Sequence, residues 1–271
     1  MQTSIKIKKQ KMKNYILKSA LFLICISGLA SGPLNAQDYK IQVQNTKEGK
    51  LTLNQFPGNL PIEGYNGSEI IIVSDHSSKP PERAKGLTPV YSQGTDNTGM
   101  AIAVEKNGNQ ITLNCLLPIY KKANYKIRVP ENFSIRVSNE CGNSGKVSIS
   151  NIKNEVEVKN CQDITLKNVT GPLVLSTIAG DVDIVFTELS KDKPISLASI
   201  SGEIDVTLPA KSAVSLEMET VTGAFFSDFD LTTTDKKLKQ VGGSKLKTQL
   251  NGGGVTFKIT NISGNIYLRK S

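Results

Sequence analysis

The chain has 271 residues, 38% of them hydrophobic and 6% aromatic with no Trp, and 33 Lys and Arg stand against 24 Asp and Glu for a formal charge of +9. One His excludes a histidine-rich transition-metal centre, and four Cys without a C-x-x-C spacing make a zinc or redox site a poor fit. A core without Trp has to be built from Val, Ile and Leu, which suit strands, with Gly and Asn supplying the turns.

Residues 1–36 hold six Lys (Lys6, Lys8, Lys9, Lys11, Lys13 and Lys18) and no acid, then the apolar run Leu21 to Ile26, then small residues ending at Ala36-Gln37. This order of basic head, apolar middle and small-residue cleavage region predicts a secretory signal peptide cut after Ala36, with Met12 a candidate start. The run is too short for the roughly 20 residues of a membrane-spanning helix, and no later segment comes close. A lipid anchor on Cys25 would need a small residue where bulky Ile24 stands. Removing the six Lys takes the charge from +9 to +3 for residues 37–271. The basic balance belongs mostly to the leader, so nucleic acid is not the expected partner, and Lys236, Lys237, Lys239, Lys245 and Lys247 read as a solvated loop.

Residues 37–130 read as a β-rich portion. "YKIQVQ", "KLTLNQF" and "SEIIIVS" are strand-like, the stretch from Asp75 to Gly99 is polar and Pro-containing, and "MAIAVEKNGNQITLNC" is a hairpin about Asn107-Gly108. No long amphipathic helix is predicted.

Residues 131–271 repeat one short phrase. It occurs at Asn151 to Asn154, Asn168 to Gly171, Thr177 to Gly180, Ser199 to Gly202, Thr220 to Gly223 and Asn261 to Gly264, with Gly five times and Asn once in the fourth place. Asn154, Gly171, Gly180, Gly202, Gly223 and Gly264 are therefore expected to take a left-handed or tightly bent backbone at corners. Apolar residues alternate on both flanks, as in Ile164, Leu166, Leu173 and Leu175, and their parity flips at the corner. A chain that bends there while both sides keep facing one interior explains the flip, and puts Val169, Ile200 and Ile262 inside. Short strands joined by corners at intervals of about 20 residues predict an all-β, single-chain β-solenoid of the parallel β-helix type; the alternative is an antiparallel β-sandwich. The repeat region is expected to continue the preceding portion, with a Lys- and Gly-rich excursion between Gly223 and the final repeat.

Three cysteines follow the leader, an odd number in an oxidising compartment. Cys141 and Cys161 lie about one repeat apart and could stack as a disulfide or as two buried thiols, which leaves Cys115 single. Asp75, His76 and Ser77 imitate a hydrolase set, but a triad is assembled from distant segments, so a surface loop is the better reading. Asp181, Asp183, Glu203 and Asp205 alternate with apolar residues and are expected to face solvent, where stacked like charges need Lys or a cation between them; no calcium-type Asp-rich loop accompanies them. Asn66, Asn132, Asn168 and Asn261 match the N-glycosylation pattern, and two of the four fall on the repeat's own corner, where side-chain hydrogen bonds to local backbone explain them better. No catalytic, cofactor-binding or metal residues emerge, and no cofactor is expected.

"YKIRVPENFSIRVS", the "SISGEIDVTLP" units and the closing "GGGVTFKITNISGNIYLRK" together resemble the bacterial exported "putative adhesin" family, first catalogued as a domain of unknown function with short β repeats, over about Lys40 to Lys270. The resemblance implies an all-β repeat fold in the cell envelope and supplies no catalytic residues. Three functions follow as expectations: a non-enzymatic envelope or surface module contacting a protein or glycan of the envelope or of a neighbouring cell, in the periplasm, on the outer surface or outside the cell; a carbohydrate-active enzyme on a β-helix, needing paired carboxylates in a cleft; or a periplasmic partner of a membrane signalling system using strand-edge pairing.

Overall fold

The computed structural model describes residues 37–76, 81–191, 193–231 and 243–271. The predicted signal peptide and Lys236, Lys237 and Lys239 lie outside the described residues, as does Ser77. The strands are β1 (Gln37–Gln42), β2 (Gly49–Asn54), β3 (Gly58–Tyr65), β4 (Glu69–Ser74), β5 (Val90–Tyr91), β6 (Gly94–Thr95), β7 (Ile102–Asn107) and β8 (Gln110–Cys115). They continue with β9 (Tyr125–Pro130), β10 (Phe133–Ser138), β11 (Ser144–Ser150), β12 (Val156–Lys159), β13 (Ile164–Val169), β14 (Leu173–Ala179), β15 (Val182–Phe186) and β16 (Ile195–Ser201). The last are β17 (Ile204–Leu208), β18 (Val214–Thr220), β19 (Phe225–Ser227), β20 (Ser244–Leu250), β21 (Val255–Ser263) and β22 (Ile266–Lys270).

Two ten-stranded sheets form the walls, the first in the order β1-β4-β9-β3-β11-β13-β15-β17-β22-β19 and the second β20-β18-β21-β16-β14-β12-β10-β2-β8-β7. From β10 to β17 the chain alternates between the walls, and each strand pairs in parallel with the strand two places on in sequence. Parallel pairing at every coil boundary makes this a β-solenoid and sets aside the antiparallel sandwich. Antiparallel pairs cap the ends: β1 with β4 and β4 with β9, β7 with β8 through the turn at Gly108, and β20 on β18. Capping strands of this kind cover edges that would otherwise recruit another chain.

The core consists of ladders. On the second wall Leu113, Leu53, Val137, Val158, Leu175, Leu197, Ile259 and Met218 stand side by side through eight strands. On the first wall Ile127, Ile62, Ile149, Leu166, Ile184, Val206 and Leu268 do the same. All are at most 2% exposed, and each such burial stabilises by about 1.5–3 kcal/mol relative to exposure.

Stacking order departs from chain order at both ends. The coil β2–β3 sits between β8–β9 and β10–β11, and the last coil of the chain, β21–β22, sits between β16–β17 and β18–β19. The Lys- and Gly-rich excursion therefore does not simply precede a final outer coil. It delivers β20 to one edge of β18, and Asn251 to Gly254 then lead to β21 on the other edge, with Val214 of β18 opposite both Leu250 and Val255. A Cβ on Gly254 would overlap the Ala213 carbonyl oxygen, so only glycine lets the chain pass so close to the start of β18. Asn251 Nδ2 ties the turn down by donating to the Ala210 and Ser212 carbonyls at 3.1 and 2.8 Å.

The repeated phrase spells two different corners. Asn151 and Asn168 end first-wall strands at φ 58° and 55°, and the left-handed step turns the next residue inward, so Ile152 and Val169 are fully buried. Corners leaving the second wall behave otherwise. Strand alternation runs on through Thr177-Ile178, Ser199-Ile200, Thr220-Val221 and Asn261-Ile262, which buries the polar residue and sends the β-branched one outward. Ile178, Ile200, Val221 and Ile262 are 44%, 48%, 48% and 47% exposed. The expectation that Ile200 and Ile262 face the interior is thus corrected, while Val169 does so.

The fourth-place residues also divide. Gly171, Gly202 and Gly264 have φ of 76°, 123° and 127°. Gly180 and Gly223 are instead needed for space, since a Cβ would overlap backbone of Gln162-Asp163 and of Gly264 respectively. Asn154 has neither role: the positive φ of its corner belongs to Asn151, and Asn154 Nδ2 donates to the Asn132 carbonyl at 2.9 Å.

Candidate functional site

The corners leaving the second wall build a two-faced edge. On its inner side Thr177, Ser199, Asn261 and Thr220 are at most 4% exposed. Thr177 Oγ1 donates to the Gln162 carbonyl at 2.9 Å, Asn261 Nδ2 to Gly202 at 2.8 Å and Thr220 Oγ1 to Gly264 at 3.1 Å, which satisfies carbonyls the bends remove from the sheets. Asn139 and Asn160 continue the row, joined by a 3.2 Å bond. On the outer side the registers Thr177↔Ser199, Ser199↔Asn261 and Thr220↔Asn261 set Ile178, Ile200, Ile262 and Val221 next to one another. The result is an exposed aliphatic ladder of four rungs at the strand spacing of about 4.8 Å.

Three residues beyond Ile178, Ile200 and Ile262 lie Asp181, Glu203 and Asn265, whereas Val221 is followed at that distance by Ala224. Asp163, Asp181 and Glu203 stand at the same corner of successive coils, and Asp163 Oδ1 accepts the Asp181 N–H at 3.1 Å while Asp181 Oδ1 accepts the Glu203 N–H at 2.8 Å. Further along the first wall, Asp183 lies beside Asp205, and Arg269 grips the Asp205 carboxylate with 2.8 Å bonds from Nε and a 2.7 Å contact from Nη2. Burial raises the Asp183 carboxyl, opposed by Lys146 and reinforced by Asp205, Asp181 and Asp163. The like-charge stacking anticipated for these acids thus occurs, and a protein cation meets it at Asp205. Tyr267 and Phe226 extend the row with rings stacked 5.2 Å apart at 16°.

The opposite edge carries a broad groove of about 990 Å³ whose walls include Tyr65, Glu131, Asn151, Lys153, Asn168 and Thr170. Glu131 is held by Lys153 at 2.7 Å, and Asn168 Nδ2 donates to Asn151 Oδ1 at 3.1 Å.

Other candidates have structural assignments. The Asp75 carboxylate accepts the Asn124 backbone N–H at 2.9 Å and its side-chain Nδ2 at 2.6 Å, which lowers its pKa, while the His76 N–H donates to Ser74 Oγ at 3.0 Å. Lys245 and Lys247 lie across the antiparallel pair from Glu217 and Glu219, with contacts of 3.0 Å from Lys245 to Glu219 and from Lys247 to Glu217. Cys141 and Cys161 form a disulfide between neighbouring corners, with Cα atoms 5.3 Å apart, and Cys115 is a buried free thiol beside Tyr125. Asn261, one of the glycosylation matches, is fully buried.

The aliphatic edge is not legible in the sequence, since the repeated phrase by itself points Ile200 and Ile262 inward. Their spacing was visible, but the direction they face depends on where within the corner the chain bends. Asp96, also unremarked, is a buried carboxylate whose Oδ1 accepts the N–H groups of Thr98 and Gly99 at 3.0 and 2.9 Å and whose Oδ2 accepts that of Ala101 at 3.0 Å, organising the loop before β7.

A two-walled parallel β-solenoid with ladder-bearing corners is the class this architecture defines. Residues 139–269 match the family described as Toastrack DUF4097, and this part of the chain is similar to that family. No curated protein matches the chain. Among solved structures it is similar to a "putative cell adhesion protein" from Clostridium sporogenes ATCC 15579, at 15% identity and a TM-score of 0.46, over 87% of this chain and 100% of that one. It is also similar to a "putative adhesin" from Bacteroides fragilis NCTC 9343, at 16% identity and a TM-score of 0.35, over 87% and 97% of the two chains. A third similar structure is a "putative lipid binding protein" from Parabacteroides distasonis ATCC 8503, at 12% identity and a TM-score of 0.29, over 89% and 98%.

Proposed function

We propose that the protein is an exported, non-enzymatic module of the bacterial cell envelope or surface whose stacked coils present side-chain ladders for contact with another envelope or cell-surface molecule. The observation that carries the reading is the ladder Ile178–Ile200–Ile262–Val221, four aliphatic side chains each close to half exposed and aligned on one edge. An exposed apolar strip bordered by polar residues is the usual mark of an interaction surface, because water contact with it is unfavourable until a partner covers it. Export is supported by the order of charge, hydrophobicity and small residues in residues 1–36.

The test is a deletion strain complemented with either the native gene or one lacking the codons for residues 1–36. The native form is expected in the envelope or outer-surface fraction, restoring attachment of cells to a surface or to one another. Recovery of the native form in the cytoplasm, or attachment unchanged by deletion, overturns the reading.

A further inference from the structure

The aliphatic ladder and the carboxylates beside it share one corner. Ile178 and Asp181, and likewise Ile200 and Glu203, are three residues apart across the bend, and Asp163 occupies the same place one coil earlier. Among the described residues, none of these three carboxylates has a Lys or Arg nitrogen within 4.0 Å, whereas Asp205 on the neighbouring face is clasped by Arg269. The Ile178 and Ile200 half of the exposed apolar strip is therefore bordered by carboxylates that no Lys or Arg among the described residues clasps directly. Glu203 accepts neutral donors, Tyr267 Oη at 3.0 Å and Asn265 Nδ2 at 3.3 Å, and Lys146 acts on the neighbouring Asp183.

We propose that this edge is a docking strip for an extended peptide segment of a partner protein that alternates aliphatic and cationic residues. The proposal rests on the contact-module reading above and gives it a partner chemistry. Charge complementarity selects the occupant: an anionic lipid surface or an acidic segment is repelled by Asp163, Asp181 and Glu203, and a second copy of this chain brings more of the same carboxylates in an isologous pairing. Length agrees as well. Four rungs at about 4.8 Å span about 14 Å, and three same-facing side chains of an extended strand, about 6.8 Å apart, cover about the same distance. In this arrangement the alternate aliphatic side chains lie on Ile178, Ile200, Ile262 and Val221, and flanking Lys or Arg side chains reach toward the carboxylates.

The experiment measures fluorescence anisotropy of a labelled peptide alternating Lys and Leu, against a counterpart with Glu replacing Lys, on the protein comprising residues 37–271. The Lys peptide is expected to bind, to weaken as ionic strength rises, and to be outcompeted by unlabelled Lys peptide but not by the Glu peptide. The variant Ile178→Thr/Ile200→Thr/Ile262→Thr is expected to lose about tenfold or more in affinity. Asp163→Asn/Asp181→Asn/Glu203→Gln keeps the acceptor oxygens at the corner while removing charge, and is expected to abolish the salt dependence. Thermal melts confirm that both variants fold. Equal binding of the Glu peptide, undiminished binding by the aliphatic variant, preferential binding of phosphatidylserine vesicles, or a dimer in light scattering that the aliphatic variant dissociates would each overturn the proposal. If native attachment in cells persists in the aliphatic variant, the strip is wrong while the contact-module reading stands.

Discussion

Thr177 and Ile178 are adjacent in β14 and face opposite sides of the wall: Thr177 is 1% exposed and bonded to the Gln162 carbonyl at 2.9 Å, whereas Ile178 is 44% exposed. The arrangement inverts ordinary polarity, since the hydroxyl is inside and the branched alkyl group outside. It persists because the bend leaves an inward carbonyl that requires a donor, and Thr supplies one without adding volume.

Exchanging the two chemistries should therefore have unequal consequences. Thr177→Val preserves shape but removes the shorter of the two bonds to the Gln162 carbonyl, leaving only Asn160 Nδ2 at 3.1 Å, and is expected to cost about 1 kcal/mol. Ile178→Thr removes only half-exposed surface and should stay within about 0.5 kcal/mol. Urea unfolding of the two variants against the native protein decides the matter, and a larger loss for Ile178→Thr would contradict the assignment.

Gly264 sits at φ 127°, and a Cβ there would overlap the Gly202 carbonyl oxygen of the adjoining coil. Gly264→Ala is expected to destabilise by about 2–4 kcal/mol, combining backbone strain with a displaced coil. Gly252, at φ 86° with open space around it, can take Asn for less than about 1 kcal/mol. Thermal melts of the two variants should separate clearly.

The Cys141–Cys161 disulfide closes a loop with a sequence separation of 20. Opening it with reductant, or making Cys141→Ala/Cys161→Ala, is expected to cost about 3 kcal/mol through the freedom regained by the unfolded chain. Chemical denaturation with and without reductant measures this, and the double variant should become insensitive to reductant.

Asp96 and Asp183 predict opposite pH responses. Burial pushes the Asp96 carboxyl up, but N–H groups of Thr98, Ala101 and Gly99 and the Thr98 hydroxyl outweigh it, so its folded pKa is lowered. Its contribution to stability is present above the unfolded value of about 3.9 and is lost as pH falls through the folded pKa. Asp96→Asn should therefore destabilise at neutral pH, with the difference from the native protein shrinking below about pH 4. Asp183 is raised, first by burial, so its contribution is full below the unfolded pKa and is lost as pH rises through the folded one. Asp183→Asn should then stabilise at neutral pH and confer nothing in acid. Urea midpoints for both variants from neutral pH down to about pH 3 test the two signs.

Much of the architecture can be read locally. Pairs such as Val147 and Ile149, or Ile164 and Leu166, declare short strands with one buried face, and their recurrence declares a stack, because strand alternation is set by backbone geometry within a few residues. The hairpin about Asn107-Gly108 is legible for the same reason. The corners are not, since Asn168-Val169-Thr170-Gly171 and Asn261-Ile262-Ser263-Gly264 look alike in letters. At the first the chain turns on a left-handed Asn168 as well as on Gly171, and at the second on Gly264 without a left-handed step at Asn261, so equivalent aliphatic residues end on opposite sides of the wall.

The amino-acid order by itself determined the strands, the repeat and the apolar ladders, all of which follow from side-chain pattern and local backbone preference. Only the tertiary structure decided that β21–β22 enters between β16–β17 and β18–β19, and that Ile178, Ile200, Ile262 and Val221 form an outward strip. Both depend on hydrogen bonds between distant strands and on which inward carbonyl each bend leaves to be satisfied, and no short window of residues specifies those partners.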